Sequence, residues 1–498
     1  MSSDVQPTDS ALHASASTPT LTAPIHARRA TVDVLAQVVG RLLNLLLGVV
    51  ATAVLARKLG TAGFGEWSTI LLIPALLAYL NDLGFLQVAV RRAASEQDSR
   101  WLGALVSIRM ALSVPVTLLS VIAIVLVARG EDMVIAGIII AFQGLLAGPA
   151  ALSSVFQLQI RNDLAMLALT VNSVLWTAAV VLVASSGGDL VIYAVALVAI
   201  AALTTGMEAL IAMRRVRVPI RGTRRLWRDL VRTAVPLSIG SLLILAYARI
   251  DGLIVYIASG SVAAGLYGSV CRIVEQAGFV PLSLVITLMP IVSRLYPERP
   301  KDVQRLLQFS LELLAMFSLP ALGFTIVASR PLIELLFGAH FAQASSALPI
   351  LTGAFVFICC GYALGVFTLV LDLQRRFARN ALGALFLNVL LNLLLVPPYG
   401  FMAAAWVTLV TEAFIMTLTG RAVLHRLDMR LRFGRFVRIA LAAAISTTVV
   451  LGLRQLGVNV IGLMIGASLA QLVGLFTLGA LHPAELRAVL RRDPLNAF

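Results

Sequence analysis

Apolar runs of about 20 residues, the length at which an α-helix crosses the hydrocarbon core of a bilayer, recur fourteen times along this chain of 498 residues. No other feature constrains the fold so tightly. In lipid every backbone polar group must find its partner within the protein, and helices achieve this segment by segment. Charge clusters and Gly/Pro punctuation divide the runs into six spans at 33–56, 67–89, 101–128, 133–158, 164–184 and 190–213. After an arginine-rich interval come six more, at 234–258, 263–292, 306–328, 347–371, 378–396 and 402–418. Two further spans, 437–453 and 460–481, form an additional hairpin, while 331–337 is too short to cross and is expected to be an interfacial or re-entrant turn.

Composition agrees. The chain is 59% hydrophobic and only 13% charged, where soluble domains carry about 25% charged residues, and its mean hydropathy is +0.95. Soluble and disordered classes are excluded. The fold class is therefore an all-α polytopic membrane protein with about 14 transmembrane helices. Residues 1–27, rich in Ser, Thr, Ala and Pro, are expected to be a disordered cytoplasmic tail rather than a signal peptide.

The net charge of +15 would suggest nucleic acid for a soluble domain. Here the distribution explains it without one. If the fourteen spans are right, alternate loops share a side, and thirty of the 39 Lys and Arg residues fall on one side against five on the other. Cationic loops stay in the cytoplasm, so both termini are expected there. The five on the opposite side are Arg57, Lys58, Arg129, Arg330 and Arg454. The basic stretch 214–233 then links an N-lobe, 28–213, to a C-lobe, 234–423, with the hairpin and a cytoplasmic tail at 424–498. The halves echo each other: Ala62-Gly63-Phe64-Gly65 follows the first span and Ala264-Gly265-Leu266-Tyr267 the seventh. In duplicated transporter folds the substrate site lies between such halves.

Motifs for other chemistries are missing. Cys271, Cys359 and Cys360 sit in apolar runs and read as packing residues, and there is no phosphate loop, dinucleotide fingerprint or HExxH zinc motif. No catalytic residue, metal site or cofactor is expected.

Several motifs together resemble a known family. They are Trp227-Arg228-Asp229-Leu230, Pro236, Ala248-Arg249-Ile250-Asp251, Gly265-Leu266-Tyr267, Glu275 and Pro290, with Ala56-Arg57-Lys58-Leu59-Gly60, Leu336-Phe337-Gly338 and the run from Asn388 to Gly400, NVLLNLLLVPPYG. Over about 29–421 the chain is similar to the bacterial oligosaccharide (O-antigen/polysaccharide) flippases of the multidrug/oligosaccharidyl-lipid/polysaccharide exporter superfamily. It departs from them after Tyr399-Gly400, where the usual Gly-x-x-Gly-Ala-Ala reads Gly400-Phe401-Met402-Ala403-Ala404-Ala405 and Ala403 stands in place of the second glycine. The resemblance implies two six-helix lobes around a central cavity, alternating access, and a polyprenyl-pyrophosphate-linked oligosaccharide carried across the bacterial cytoplasmic (inner) membrane for surface polysaccharide biosynthesis. It also implies partners among membrane lipids, the polysaccharide polymerase and other assembly proteins, and coupling to H+ or Na+.

Charges within the spans cost roughly 2.5–3.5 kcal/mol each on insertion scales and call for a partner or an aqueous cavity. Arg41 and Asp82 lie at one depth from the cytoplasm in the first two spans, so they are candidates to pair. Arg249 and Arg272 share a level near the midplane, and Glu275, three residues after Arg272, lies on its face, whereas Asp251 points away. Two readings stand for Arg41, Arg249 and Arg272. They are part of a salt-bridge lattice between helices, or they form a cationic patch for pyrophosphate, to which guanidinium offers charge and paired donors. Asp82, Asp251, Glu275 and Glu412 are candidates for ion pairing or ion coupling, as is Glu312; Asn388 and Asn392 are expected to bond across to a neighbouring helix. Arg109 reads as snorkelling to the cytoplasmic surface. Pro236, Pro281, Pro290, Pro320 and Pro349 are expected to kink helices.

Three alternatives compete with the flippase. A peptidoglycan-precursor flippase would bind the same pyrophosphate; a drug or cation efflux antiporter would want acidic and aromatic walls, yet aromatics make up only 7%; a polytopic glycosyltransferase or polymerase would need a large, acid-bearing external loop.

Overall fold

A computed structural model of the chain describes residues 27–159, 162–216, 218–219 and 223–481. The expected tails, most of 1–27 and 482–498, lie outside these residues, as do Arg161, Arg217, Arg221 and the three arginines beyond 481. Among the described residues sixteen α-helices follow one another: α1 (Ala27–Asp82), α2 (Phe85–Glu96), α3 (Arg100–Val127), α4 (Glu131–Phe142), α5 (Ala147–Ala150), α6 (Ser154–Leu158), α7 (Asn162–Ser186), α8 (Leu190–Arg215), α9 (Arg224–Ala277), α10 (Phe279–Leu295), α11 (Pro300–Phe337), α12 (Leu348–Val370), α13 (Gln374–Tyr399), α14 (Phe401–Arg426), α15 (Phe433–Gln455) and α16 (Val460–Thr477).

Fourteen crossings are accounted for by this order. The helices α1 and α9, of 56 and 54 residues, are each too long for one crossing and break at Gly60 (φ 67°) and Gly260 (φ 84°), left-handed conformations that glycine adopts without steric cost. Each therefore supplies two spans, the second of α9 running on into α10. The fourth span is α4, α5 and α6 in series, and α3, α7, α8 and α11 to α16 supply one each. Side chains such as Leu126, Leu182 and Phe386, more than 60% exposed, cover the outer faces, as lipid rather than water surrounds them.

Some sequence boundaries move. The second span ends at Asp82, where Leu83 and Gly84 take positive φ, and α2 becomes a separate helix carrying Arg91 and Arg92. The arginine-rich stretch 224–232 of the linker is the start of α9, capped by Thr223. The 331–337 segment is not an isolated turn: it continues α11 beyond a break at Ala328. Pro281 and Pro349 stand in the first turns of α10 and α12, where proline replaces an N–H that has no helical partner, so they start helices rather than kink them.

The N-lobe, α1 to α8, and the C-lobe, α9 to α14, meet chiefly through α1 and α9, and the α15–α16 hairpin leans on α11. At the arginine-poor end one core joins both lobes: Phe64 and Trp67 of α1, Tyr193 of α8, Tyr256 and Tyr267 of α9, Phe337 at the end of α11 and Phe341 just after it are all buried together. Phe64 meets Phe341 edge-on with ring centroids 5.8 Å apart. The breaks at Gly60 and Gly260 lie side by side here. The echo between the halves runs in a different register from the one the letters suggest, since Gly65 faces Gly265 across the lobe interface.

Three of the arginines of this end are tied to helix ends. Arg57 donates to the carbonyls of Leu335 and Leu336, at 3.1 Å for the latter, and Arg129 to Ile257 O at 3.0 Å. Arg454 caps the carbonyl of Val327 at the break in α11, and Arg330 pairs with Glu334. Cations are favourable at carbonyl-rich helix C-termini, which accounts for three of the five positive residues on the side that otherwise lacks them, while Arg330 is matched by Glu334. Two family-like segments, 56–60 and 336–338, thus touch across the lobes.

Candidate functional site

A cavity of about 600 Å³ lies between the lobes. The second half of α1, with Asn81 and Asp82, forms one wall together with Arg109 of α3, Gln143 after α4 and Thr205 of α8; α9 forms the other, with Arg249, Asp251, Tyr267, Cys271, Arg272 and Glu275. A second cavity of about 660 Å³, lined by Gln87, Arg91, Arg92 and Ser238, adjoins it toward the arginine-rich end, and Asp82 borders both.

On the α9 wall, Glu275 binds two arginines. Arg249 donates to Glu275 Oε1, and Arg272, one turn before Glu275, donates to Oε2 at 3.2 Å. Arg249 reaches Glu275 because the break at Gly260 brings the two halves of α9 together. The side chains of Arg249 and Arg272 are 38% and 35% exposed and line the cavity, so they do not face acyl chains. Two guanidinium groups sharing one carboxylate leave one positive charge uncompensated. Asp251 belongs to another set: it is buried, accepts hydrogen bonds from Tyr267 and from Thr408 Oγ1 of α14 (3.2 Å), and does not pair with either arginine.

On the opposite wall the expected Arg41–Asp82 pair is replaced. Asp82 binds Arg109. Arg109 therefore does not snorkel; its side chain is 13% exposed and lines the cavity. Arg41, Asp82 and Arg109 all lie about eight residues from a span end, so depth alone could not choose among them. The choice is made by α3 packing beside the second half of α1. Arg41 does not line the cavity, and it has no ion-pair partner among the described residues. It stands two turns before Gly48, on the same helical face, and Gly48 abuts Gln276 of α9.

The remaining candidates are drawn into packing. Asn392 Nδ2 donates to Asn388 Oδ1 at 3.0 Å and to its carbonyl at 2.9 Å. The bonds thus run along α13 rather than across to another helix, because a spacing of four places both on one face, and Asn392 Oδ1 is left buried without a partner. Glu412 accepts from Tyr247 OH at 3.0 Å, and Glu312 is held by Gln308 and, at 3.3 Å, by Arg435 of α15. None of these four lines the cavity.

Sequence reasoning overlooked the fourth span's construction. Between α4 and α6 the helix tightens into 3₁₀ turns at Gln143–Leu146 and Ala151–Ser153, and residues of this stretch line the cavity. Mid-helix 3₁₀ segments mark hinges and functional sites; the glycine and proline in Gln143-Gly144-Leu145-Leu146-Ala147-Gly148-Pro149 were the available signal.

Comparison with known proteins accords with this architecture. The sequence profile of a family described as polysaccharide biosynthesis protein matches residues 31–296. A search of curated protein sequences returns no match. Among solved structures, the chain is similar to a lipid II flippase MurJ in an inward closed conformation, with a TM-score of 0.73 at 13% identity, over 93% of this chain and 100% of that one. It is similar also to a multidrug resistance MATE family transporter of the MOP superfamily in an inward-facing conformation, with a TM-score of 0.64 at 15% identity, over 77% of this chain and 96% of that one. An outward-facing structure of such a transporter gives 0.56 at 15% identity, over 78% and 95%. Spanning more than half of the sequence, the profile match shows that the chain belongs to the polysaccharide biosynthesis protein family, and its fold is similar to those solved structures.

Proposed function

We propose that the protein is a flippase that moves a polyprenyl-pyrophosphate-linked oligosaccharide across the cytoplasmic membrane by alternating access, for surface polysaccharide biosynthesis. The observation that carries this reading is the Arg249–Glu275–Arg272 cluster, which faces an interlobe cavity with one net positive charge. A diphosphate in hydrocarbon carries a prohibitive desolvation cost. In the cavity two guanidinium groups replace its water with charge-assisted hydrogen bonds, while the polyprenyl tail stays in lipid. The cavity borders a second one toward the arginine-rich end, and that end is the cytoplasmic one by the loop charges. The head group enters there, and separation of Gly65 from Gly265 releases it on the other side. An H+ or Na+ gradient or the membrane potential supplies direction, and a polymerase or other assembly proteins receive the product.

The lipid-linked peptidoglycan precursor is a second reading, favoured by a similarity to the lipid II flippase that spans that whole chain. Both substrates bear a polyprenyl pyrophosphate, so the role of Arg249 and Arg272 is common to them.

In cells dependent on this gene, Arg249→Ala and Arg272→Ala are expected to abolish surface polysaccharide with the protein still present in the membrane. Normal polysaccharide in both variants would overturn the proposal. Loss of peptidoglycan synthesis with intact polysaccharide would select the second reading.

A further inference from the structure

The two walls of the interlobe cavity differ in chemistry. The α9 wall holds Arg249 and Arg272 against Glu275, with Asp251 already engaged by Tyr267 and Thr408. The N-lobe wall is neutral in sum, since Arg109 is matched by Asp82. Its other polar groups are uncharged: Asn81 of α1, Gln143 at the first 3₁₀ turn and Thr205 of α8. Among the described residues none of the three has a side-chain hydrogen bond with another protein group. Asn81 is only 4% exposed and its Oδ1 is both enclosed and unpartnered. Ser68 Oγ and Arg109 Nε, on the same wall, are also enclosed without a partner.

Unpaired amides and hydroxyls within a membrane protein are unfavourable unless something else completes them, because neither lipid nor apolar packing can. On the same helix, Thr204 Oγ1 donates to Asn172 Oδ1 at 3.2 Å and to the carbonyl of Ile200 at 2.9 Å. Thr204 and Thr205 are adjacent in sequence, yet only the one facing away from the cavity is bonded. On this wall the enclosed, unpartnered atoms of Ser68, Asn81 and Arg109 stand beside Gln143 and Thr205, which line the cavity without a side-chain hydrogen bond. The tightening of the fourth span at Gln143 keeps this side chain on the cavity wall, in a segment whose backbone departs from the regular helix.

We infer that the N-lobe wall is the sugar-recognition face of the site, with Asn81, Gln143 and Thr205 hydrogen-bonding the hydroxyl or acetamido groups of the sugar nearest the diphosphate. The inference rests on the flippase reading and adds an orientation to it: diphosphate toward α9, sugar toward the N-lobe. Neutral amides suit hydroxyls, which both donate and accept, and a site built to pair them penalises a ligand that lacks them. Because the two faces belong to different lobes, a sugar-bearing head group bridges the lobes and a bare pyrophosphate does not.

The test compares two probes on the full-length protein in nanodiscs, undecaprenyl pyrophosphate and undecaprenyl pyrophosphate carrying an oligosaccharide. The quantity read is the ratio of their dissociation constants. The wild-type protein is expected to prefer the sugar-bearing probe, and Asn81→Ala, Gln143→Ala and the near-isosteric Thr205→Val each to reduce that preference about tenfold, as loss of one hydrogen bond within a closed site does. Arg249→Ala is expected to weaken both probes alike and leave the ratio unchanged. Equal affinity of the wild type for both probes, or an unchanged ratio in all three N-lobe variants, would overturn the inference while leaving the pyrophosphate site intact. Binding of neither probe by the wild type would instead remove the flippase reading. A variant that fails to fold binds neither probe and is identified by its loss of the bare carrier; Thr205→Val, which changes shape least, then decides.

Discussion

Gly65 and Gly265 face each other where the lobes meet, each against the turn that follows the other's helix break. A Cβ on Gly65 would lie 1.9 Å from Ser261 O, and one on Gly265 would lie 1.9 Å from Thr61 O. No side chain fits at either position while the lobes are joined as they are here. The contact is reciprocal and stands beside two hydrogen-bond links between lobes, from Arg57 to Leu335 and Leu336 and from Arg129 to Ile257.

Gly65→Ala or Gly265→Ala is therefore expected to disfavour closure of this end. With the native cysteines replaced, a cysteine in place of Ala264, a residue 5% exposed and bordering the cavity, should react several-fold faster with a membrane-impermeant thiol reagent in the alanine variants. An unchanged labelling rate would mean that the glycine contact does not hold this end shut.

Glu275 competes with any anion for Arg249 and Arg272. Glu275→Gln keeps the shape and removes the charge, freeing both guanidinium groups, so pyrophosphate is expected to bind about tenfold tighter, or about 1.4 kcal/mol. Turnover should fall, because release at the far side loses its internal competitor. Calorimetric titration with pyrophosphate reads the first effect, and weaker binding would show that Glu275 positions the arginines rather than opposing the ligand.

Asp82 and Arg109 form an ion pair with Asp82 39% and Arg109 13% exposed. Arg109→Met strands a carboxylate that water reaches only in part, costing roughly 1–2 kcal/mol after solvent screening. The double exchange Asp82→Arg with Arg109→Asp should recover stability in thermal unfolding, whereas exchanging Arg41 with Asp82 should not. Recovery by the Arg41 exchange would return the pairing to the first span.

The α15–α16 hairpin is attached to α11 through Glu312 and Arg435, whose side chains are 5% and 19% exposed, and Arg435 also donates to Ala480 O at 2.8 Å. Glu312→Ala is expected to lower stability by about 3–5 kcal/mol, the usual effect of breaking a buried pair. Replacing both residues with apolar side chains of similar size should recover most of it. A small loss in Glu312→Ala would place the attachment in apolar packing, where Ala315 meets Ile439 and Leu475.

The fourteen spans and the concentration of charge were readable because each depends on one residue's transfer between water and lipid, summed along a segment. The same rule drew attention to Arg249, Arg272 and Glu275: charged groups at midplane depth need partners, and i,i+3 spacing joined two of them. It went astray where three groups shared a depth. Arg41, Asp82 and Arg109 are equivalent by distance from a span end, and only the direction each faces distinguishes them. Asn388 and Asn392 show the converse, since their spacing alone was enough for Asn392 to donate to Asn388 along one helix face.

Hydropathy and spacing by themselves determined that this chain crosses a membrane, how often, and at what depth its charges lie, because these are properties of single helices. Which charges meet was decided by tertiary structure: the breaks at Gly60 and Gly260 and the docking of α3 beside α1 set the azimuth of each helix. That azimuth turned Arg109 toward Asp82, brought Arg249 across to Glu275, and left Asn81, Gln143 and Thr205 unpaired on a cavity wall. Side chains far apart in sequence become partners only when the lobes are assembled, and no one-dimensional pattern encodes that rotation.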